Sequence, residues 1–197
     1  MNGDTIVAGI GQTEFSKESG RSELQLAAEA SRAAILDAGL TPADIDGMVT
    51  FTIDSSGELD LMRALGMQEV RYWSRTPYGG AGANTTMQHA AVAVASGAAN
   101  AVLVYRAFNE RSGRRFGQPN APRDGSLRPI DNYYTFGLDT PAKTYALWYQ
   151  RYMHEFGVKN EDFGQYTVVA RKHAATNPAA WFYQRPITID DHQASRS

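Results

Sequence analysis

The residues best suited to chemistry form one short run, Tyr78-Gly-Gly-Ala-Gly82. Glycines let a ligand approach the backbone, and a helix opening after them offers free amides and a partial positive charge. An oxyanion or a thioester carbonyl would be stabilised there. A tight structural turn that needs positive φ explains the same residues, and the local motif leaves both readings open. A second concentration is cationic. Arg106, Arg111, Arg114, Arg115, Arg123 and Arg128 fall close together, offset by Glu110 and Asp124. The arginine fork suits phosphate oxygens, which makes Arg111, Arg114 and Arg115 candidates for an anionic group. A solvated loop with local ion pairs is the plainer reading.

Other chemistries are excluded or weakly signalled. The chain has no cysteine, so disulfides, cysteine-ligated metals and a cysteine nucleophile are impossible on it. His89, His154, His173 and His192 show no metal-ligand spacing, and no metal is expected. His89 lies on an expected half-buried helix and reads as a satisfied structural histidine, while His173 and His192 read as surface residues. Gly9-Ile-Gly11 resembles the start of a dinucleotide fingerprint, but Glu14 stands where the third glycine belongs. Neither a Walker phosphate loop nor a hydrolase nucleophile elbow occurs.

These residues need a scaffold. The 197 residues are 43% hydrophobic and 20% charged, the composition of a globular chain with room for a real core. A net charge of −2 argues against a general nucleic-acid binder. The polar start, Met-Asn-Gly-Asp, does not resemble a signal peptide. Apolar runs break before the roughly 18 residues a membrane helix needs, so the expected location is the cytoplasm.

Thr5–Ile10 reads as a buried strand. Ser22-Glu-Leu-Gln25 reads as a capping box for a helix whose small residues repeat to Ala38, stopped by Gly39. Thr41-Pro42 with Asp44 reads as a short capped turn, and Met48–Ile53 as a second strand. A helix over Glu58–Leu65, a strand over Val70–Ser74, a helix over Ala83–Ser96 and a strand over Ala101–Tyr105 complete the run. Strands alternating with helices imply an α/β fold with a mainly parallel sheet covered by helices.

The character changes after residue 108. Residues 109–132 read as a long excursion, and loops of this length are commonly functional. Thr140-Pro141 starts a helix to Phe156, whose Tyr145, Tyr149, Tyr152, Met153 and Phe156 read as a core-facing stripe. Asn160-Glu-Asp caps a further helix to about Ala175, and Ile187–Asp190 starts a strand or approaches a helix. His192–Ser197 shows no final element. The expected organisation is a core over 1–108 and a helical loop domain over 109–197.

Several pieces then resemble the sterol-carrier, or lipid-transfer, branch of the thiolase superfamily. They are Ile6–Phe15, Ser22–Leu24 with Ala27–Ala30 and Asp37–Leu40, Asp44–Gly47, Ala95–Val104, Thr140–Gly157 and Lys172–Ala179. Their order and spacing are specific together. In thiolases the turn after the third strand holds the cysteine that accepts the acyl group, and counting back from Ser96-Gly97 puts Gly80 there. The resemblance therefore implies the cysteine-lacking aldolases of that branch. These cleave a β-hydroxyacyl-CoA, such as a steroid side-chain thioester, by a retro-aldol step, with a small acyl-CoA-binding partner built from an OB-fold and a zinc-binding segment.

It also implies two similar βαβ halves in a layered α/β assembly, of which this chain resembles the first. The catalytic groups are expected in the second half, so the chain reads as a fragment, a truncated product or part of a split enzyme. Tyr78, Gly79, Gly80 and Ala81 would line the acyl-CoA site. Arg111, Arg114 and Arg115 would meet coenzyme A phosphates or an acidic partner. Coenzyme A enters as part of the substrate, with no separate cofactor. Val70–Ser74 would pair across a two-fold axis in a homodimer. The rival readings are a non-catalytic acyl-CoA- or lipid-binding or scaffold subunit, and an acetyl-CoA acetyltransferase-type thiolase that takes its cysteine from another chain.

Overall fold

The computed structural model describes residues 5–51, 56–76, 80–110, 112 and 136–195. Two compact units emerge, Met1–Arg115 and Phe116–Ser197.

The first unit is α/β. Its elements are α1 (Glu23–Asp37), a 3₁₀ turn (Pro42–Asp44), β1 (Gly47–Phe51), α2 (Glu58–Leu65), β2 (Tyr72–Thr76), α3 (Gly80–Ala95) and β3 (Val102–Val104). Among the described residues the strands form one parallel sheet in the order β2-β1-β3, with Gly47 opposite Tyr72 and Val102. The central strand β1 is buried along its whole length, as a strand covered on both faces must be. Met48, Leu61, Ile35, Leu65 and Leu103 share one core cluster.

Local signals set most boundaries. Ser22 Oγ accepts from Gln25 N at 3.1 Å and starts α1. The other half of the expected capping box is absent, because Gln25 Nε2 turns outward to Glu29 Oε1 at 3.0 Å. Asp44 Oδ2 accepts from both Thr41 N and Thr41 Oγ1 and holds the 3₁₀ turn. Gly66 and Gly97 follow α2 and α3 with φ of +76° and +74°, a left-handed conformation that residues with a Cβ avoid.

The strand expected at Thr5–Ile10 is absent. That segment has no regular structure, and Ile6 and Ile10 are 86% and 76% exposed. It lies along α1 instead of in the sheet. A Cβ built on Gly9 would sit 2.9 Å from the Ala38 Cβ, and one on Gly11 would sit 2.9 Å from the Ala33 Cβ. Ile10 N donates to Asp37 Oδ2 at 2.9 Å, so helix contacts replace a strand ladder. The strand expected at Val70–Ser74 runs two residues later. Asp46 O accepts from Arg71 N at 2.7 Å and from Tyr72 N at 3.2 Å, which fixes the entry. Helix α3 starts at Gly80, three residues before the expected Ala83, so that Gly80, Ala81 and Gly82 lie in its first turn despite the low helix propensity of glycine.

The second unit is helical among its described residues. Its elements are α4 (Pro141–Phe156), α5 (Asn160–Thr176) and α6 (Ile189–Gln193). Thr140 Oγ1 accepts from Lys143 N and caps α4. Lys159, not Asn160, occupies the cap position of α5, where its N donates to Asp162 Oδ2 at 2.8 Å. The expected core stripe on α4 is not core: Tyr145 and Tyr149 are 53% exposed and Phe156 is 63% exposed. Phe163 of α5 meets only part of it, with ring centroids 4.7 Å from Tyr149 and 6.0 Å from Tyr152. The chain also has a further element near its last residues. Thr188 and Asp191 cap α6 reciprocally, and Gly164 leaves room for His192 against α5.

Candidate functional site

The carboxyl ends of parallel strands are where α/β folds place ligands. Here they hold Phe51, Thr76 and, just past β3, Tyr105 and Arg106. Three interactions fix this end. Thr50 Oγ1 donates to Tyr105 O at 3.0 Å, and Tyr105 OH donates to Ser56 O at 3.0 Å. The Arg106 guanidinium lies 5.4 Å from the Phe51 ring centroid and 5.0 Å from that of Phe108, in cation–π range of both.

Strand β2 presents its sides differently. Trp73 and Arg75 lie on one side, and Arg75 closes a two-pronged pair on Glu58, with Nε and Nη2 at 2.5 and 2.6 Å from the two carboxylate oxygens. That pairing holds the Glu58 carboxyl below its ordinary value, against the opposing effect of burial. Tyr72, Ser74 and Thr76 lie on the other side. Ser74 Oγ and His89 Nδ1 share a hydrogen bond at 2.7 Å, which puts this side against α3. His89 thus has the structural partner expected of it.

At the opposite end of the sheet Asp46 ties the strands together. Its carboxylate accepts from Asn100 N at 2.8 Å, Asn100 Nδ2 at 2.9 Å and Ala101 N at 3.0 Å, and Arg71 Nη1 lies 3.4 Å away. Burial works against the charge, but these donors outweigh it and hold the carboxyl below its ordinary value.

Beside Arg106 lies a cavity of about 270 Å³. Its walls are the 11–19 loop, Leu26 and Ala30 of α1, and the chain from Arg106 to Glu110 with Ser112. Asn109 closes one side by donating to Arg21 O at 2.6 Å and accepting from Ser19 Oγ at 2.9 Å. Arg21 itself pairs with Glu14 and Glu29. The Gly9–Gly11 pair serves close packing on α1, which accounts for the weak dinucleotide resemblance without a phosphate.

Of the expected site residues, Gly80 and Ala81 open α3. Tyr78 and Gly79 lie outside the described residues, and so do Arg111, Arg114 and Arg115. Sequence reasoning missed Thr76 and the cavity beside Arg106. Its only hint of the cavity was the arginine-rich run that begins at Arg106. Among the described residues no three His, Asp or Glu gather as a metal site, and no helix is long and apolar enough to cross a membrane.

Comparison with known proteins places the chain. No family model matches it. Over 200 residues it is 57% identical to the steroid side-chain-cleaving aldolase of Thermomonospora curvata, covering all of this chain and 51% of that protein. It is 52% identical to the 17-hydroxy-3-oxo-4-pregnene-20-carboxyl-CoA lyase of Mycobacterium tuberculosis, covering all of this chain and 52% of that protein. Among solved structures the Ltp2-ChsH2(DUF35) aldolase superposes with a TM-score of 0.87 at 56% identity, over 96% of this chain and 48% of that one. An acetyl-CoA acetyltransferase from Syntrophomonas wolfei superposes with a TM-score of 0.59 at 20% identity, over 87% of this chain and 46% of that one, a likeness of fold alone. The chain spans about half the length of the curated relatives it matches. Its close homologues are steroid side-chain-cleaving aldolases, and its fold is a thiolase-like α/β fold.

Proposed function

We propose that this close homologue of steroid side-chain-cleaving aldolases supplies the N-terminal half of such an enzyme, acting on a β-hydroxyacyl-CoA. The observation that carries the reading is 57% identity along the whole chain to an aldolase of that kind. The glycine at position 80 supports it, because a thiolase route through a cysteinyl thioester has no nucleophile on this chain. The name of the mycobacterial relative fits the chemistry. A 17-hydroxyl stands β to a thioester on the 20-carboxyl, as a retro-aldol step requires.

In that step a base takes the β-hydroxyl proton and the oxygen's electron pair forms the new ketone. The Cα–Cβ bond breaks, and its electron pair passes to the thioester oxygen as an enolate. Protonation at Cα then releases the shorter acyl-CoA. This chain would contribute the wall of the acyl-CoA site at Tyr78, Gly79, Gly80 and Ala81. The base would come from the second half. Arg111, Arg114 and Arg115 would face coenzyme A phosphates or an acidic partner. The two-component name of the Ltp2-ChsH2(DUF35) aldolase supports a partner subunit, and the family resemblance suggests that this partner is built from an OB-fold and a zinc-binding segment. The thiolase resemblance supports a homodimer through the Val70–Ser74 region. The change of composition after residue 108 supports a core over 1–108 with a loop domain over 109–197, and apolar runs that all break short of a membrane span support a cytoplasmic location.

Assaying the full-length protein with its partner on a β-hydroxyacyl-CoA tests this. Release of a ketone and a shorter acyl-CoA is expected, and thiolysis in its place would overturn the proposal. The rival reading is a non-catalytic acyl-CoA-binding or scaffold subunit. Under it these 197 residues bind acyl-CoA and the assembled protein turns nothing over.

A further inference from the structure

The hydroxyls near the sheet's carboxyl end nearly all close bonds of their own. Thr50 Oγ1 donates to Tyr105 O, and Thr86 Oγ1 donates to Ala83 O at 2.6 Å. Thr76 does not. It is 0% exposed, and its Oγ1 has no hydrogen-bond partner. A buried hydroxyl left unpaired destabilises the fold, and where such a group persists it calls for an explanation, a role in function among them.

Its position says where that partner would come from. Thr76 ends β2, paired with Phe51 at the end of β1, and α3 opens four residues later at Gly80. Ser74 on the same side of β2 touches α3 at His89. One strand period beyond Ser74, about 6.6 Å along β2, Thr76 is displaced from that contact toward the start of α3. The N-terminal end of a 16-residue helix, with its partial positive charge, and an unpaired, buried hydroxyl thus lie on one side of one strand end.

We propose that the Thr76 hydroxyl is a substrate-binding hydrogen-bond donor, reserved for the thioester oxygen of an acyl-CoA docked at the start of α3. The inference rests on the reading in the preceding subsection. It adds a donor from the strand to the helix amides, aimed at the oxygen on which enolate charge develops.

The test uses Thr76→Val, which keeps the shape and removes the hydroxyl, and Thr76→Ser, which restores it. In the full-length, partner-bound enzyme, Thr76→Val should lower kcat for retro-aldol cleavage about 100-fold, and Thr76→Ser should recover most of it. Acetyl-CoA should bind Thr76→Val about tenfold more weakly, with free coenzyme A unchanged. The Tm of Thr76→Val should be no lower than that of the unaltered protein, since an unpaired hydroxyl is lost. Ser31→Ala removes an unpaired buried hydroxyl on α1 and should leave acetyl-CoA binding untouched. Unchanged kcat and acetyl-CoA affinity in Thr76→Val would overturn the inference, as would equal losses for acetyl-CoA and coenzyme A with a lower Tm. If the unaltered enzyme cleaves nothing yet binds acetyl-CoA through the hydroxyl, the donor stands and the retro-aldol reading fails.

Discussion

At the residue scale Asp46 concentrates the most consequence in one carboxylate. Its side chain is 13% exposed and accepts from two backbone amides that lead into β3. Because the folded carboxyl titrates below its ordinary value of 3.8, its stabilisation is complete above that value. It is lost as pH falls through the lower folded value. Asp46→Asn should cost about 1–3 kcal/mol at pH 7, and its stability should fall less than that of the unaltered protein between about pH 5 and 2. Urea titrations of both proteins across that range check this. The sequence marked Asp46 only within the Asp44–Gly47 piece of the family resemblance, since its donors at Asn100 and Ala101 are 54 and 55 positions away. Thr76 was hidden for the same reason. An unpaired hydroxyl is visible only once tertiary packing has removed water. The proposal that Gly80 stands where thiolases carry their cysteine rests on a counted resemblance alone, since no local property of a glycine marks such a position.

At the element scale, local signals were good guides and partner choice was not. Ser22, Gly66 and Thr140 mark helix ends because a cap is settled within a few residues. Thr5–Ile10 misled because an apolar run fits a buried strand and equally fits a segment laid on a helix of small residues. The tyrosine stripe on α4 misled because periodicity identifies an apolar face without supplying what covers it. Three substitutions separate these cases. Gly11→Ala should lower stability by about 1–3 kcal/mol in thermal unfolding, because its Cβ meets the α1 backbone and Ala33. Leu61 is 0% exposed in the core of the first unit, and Leu61→Ala should cost about 2–5 kcal/mol in the same measurement. Tyr145→Ala, on a face left 53% exposed, should cost less than either, and a loss as large as that of Leu61→Ala would restore the core reading of the stripe.

At the scale of the whole molecule the open question is which surfaces a second chain covers. In the described sheet β2 has a strand neighbour on one side only, β1. Its Trp73 is 64% exposed, beside the Arg75–Glu58 pair. An edge strand with unpaired backbone groups and a large exposed aromatic invites pairing, unless charges or proline blunt it. Across a two-fold axis the same strand would meet its own copy, and each Trp73 would bury its face against the partner. A lysine at position 73 would then place like charges together in a desolvated contact. Sedimentation equilibrium should show a dimer for the unaltered protein and a shift toward monomer for Trp73→Lys, with the helical content of the two proteins equal by circular dichroism. Burial of Trp73 should also blue-shift its fluorescence as protein concentration rises. A protein that stays monomeric at high concentration would assign β2 to solvent, and pairing through Val70–Ser74 would fall with it.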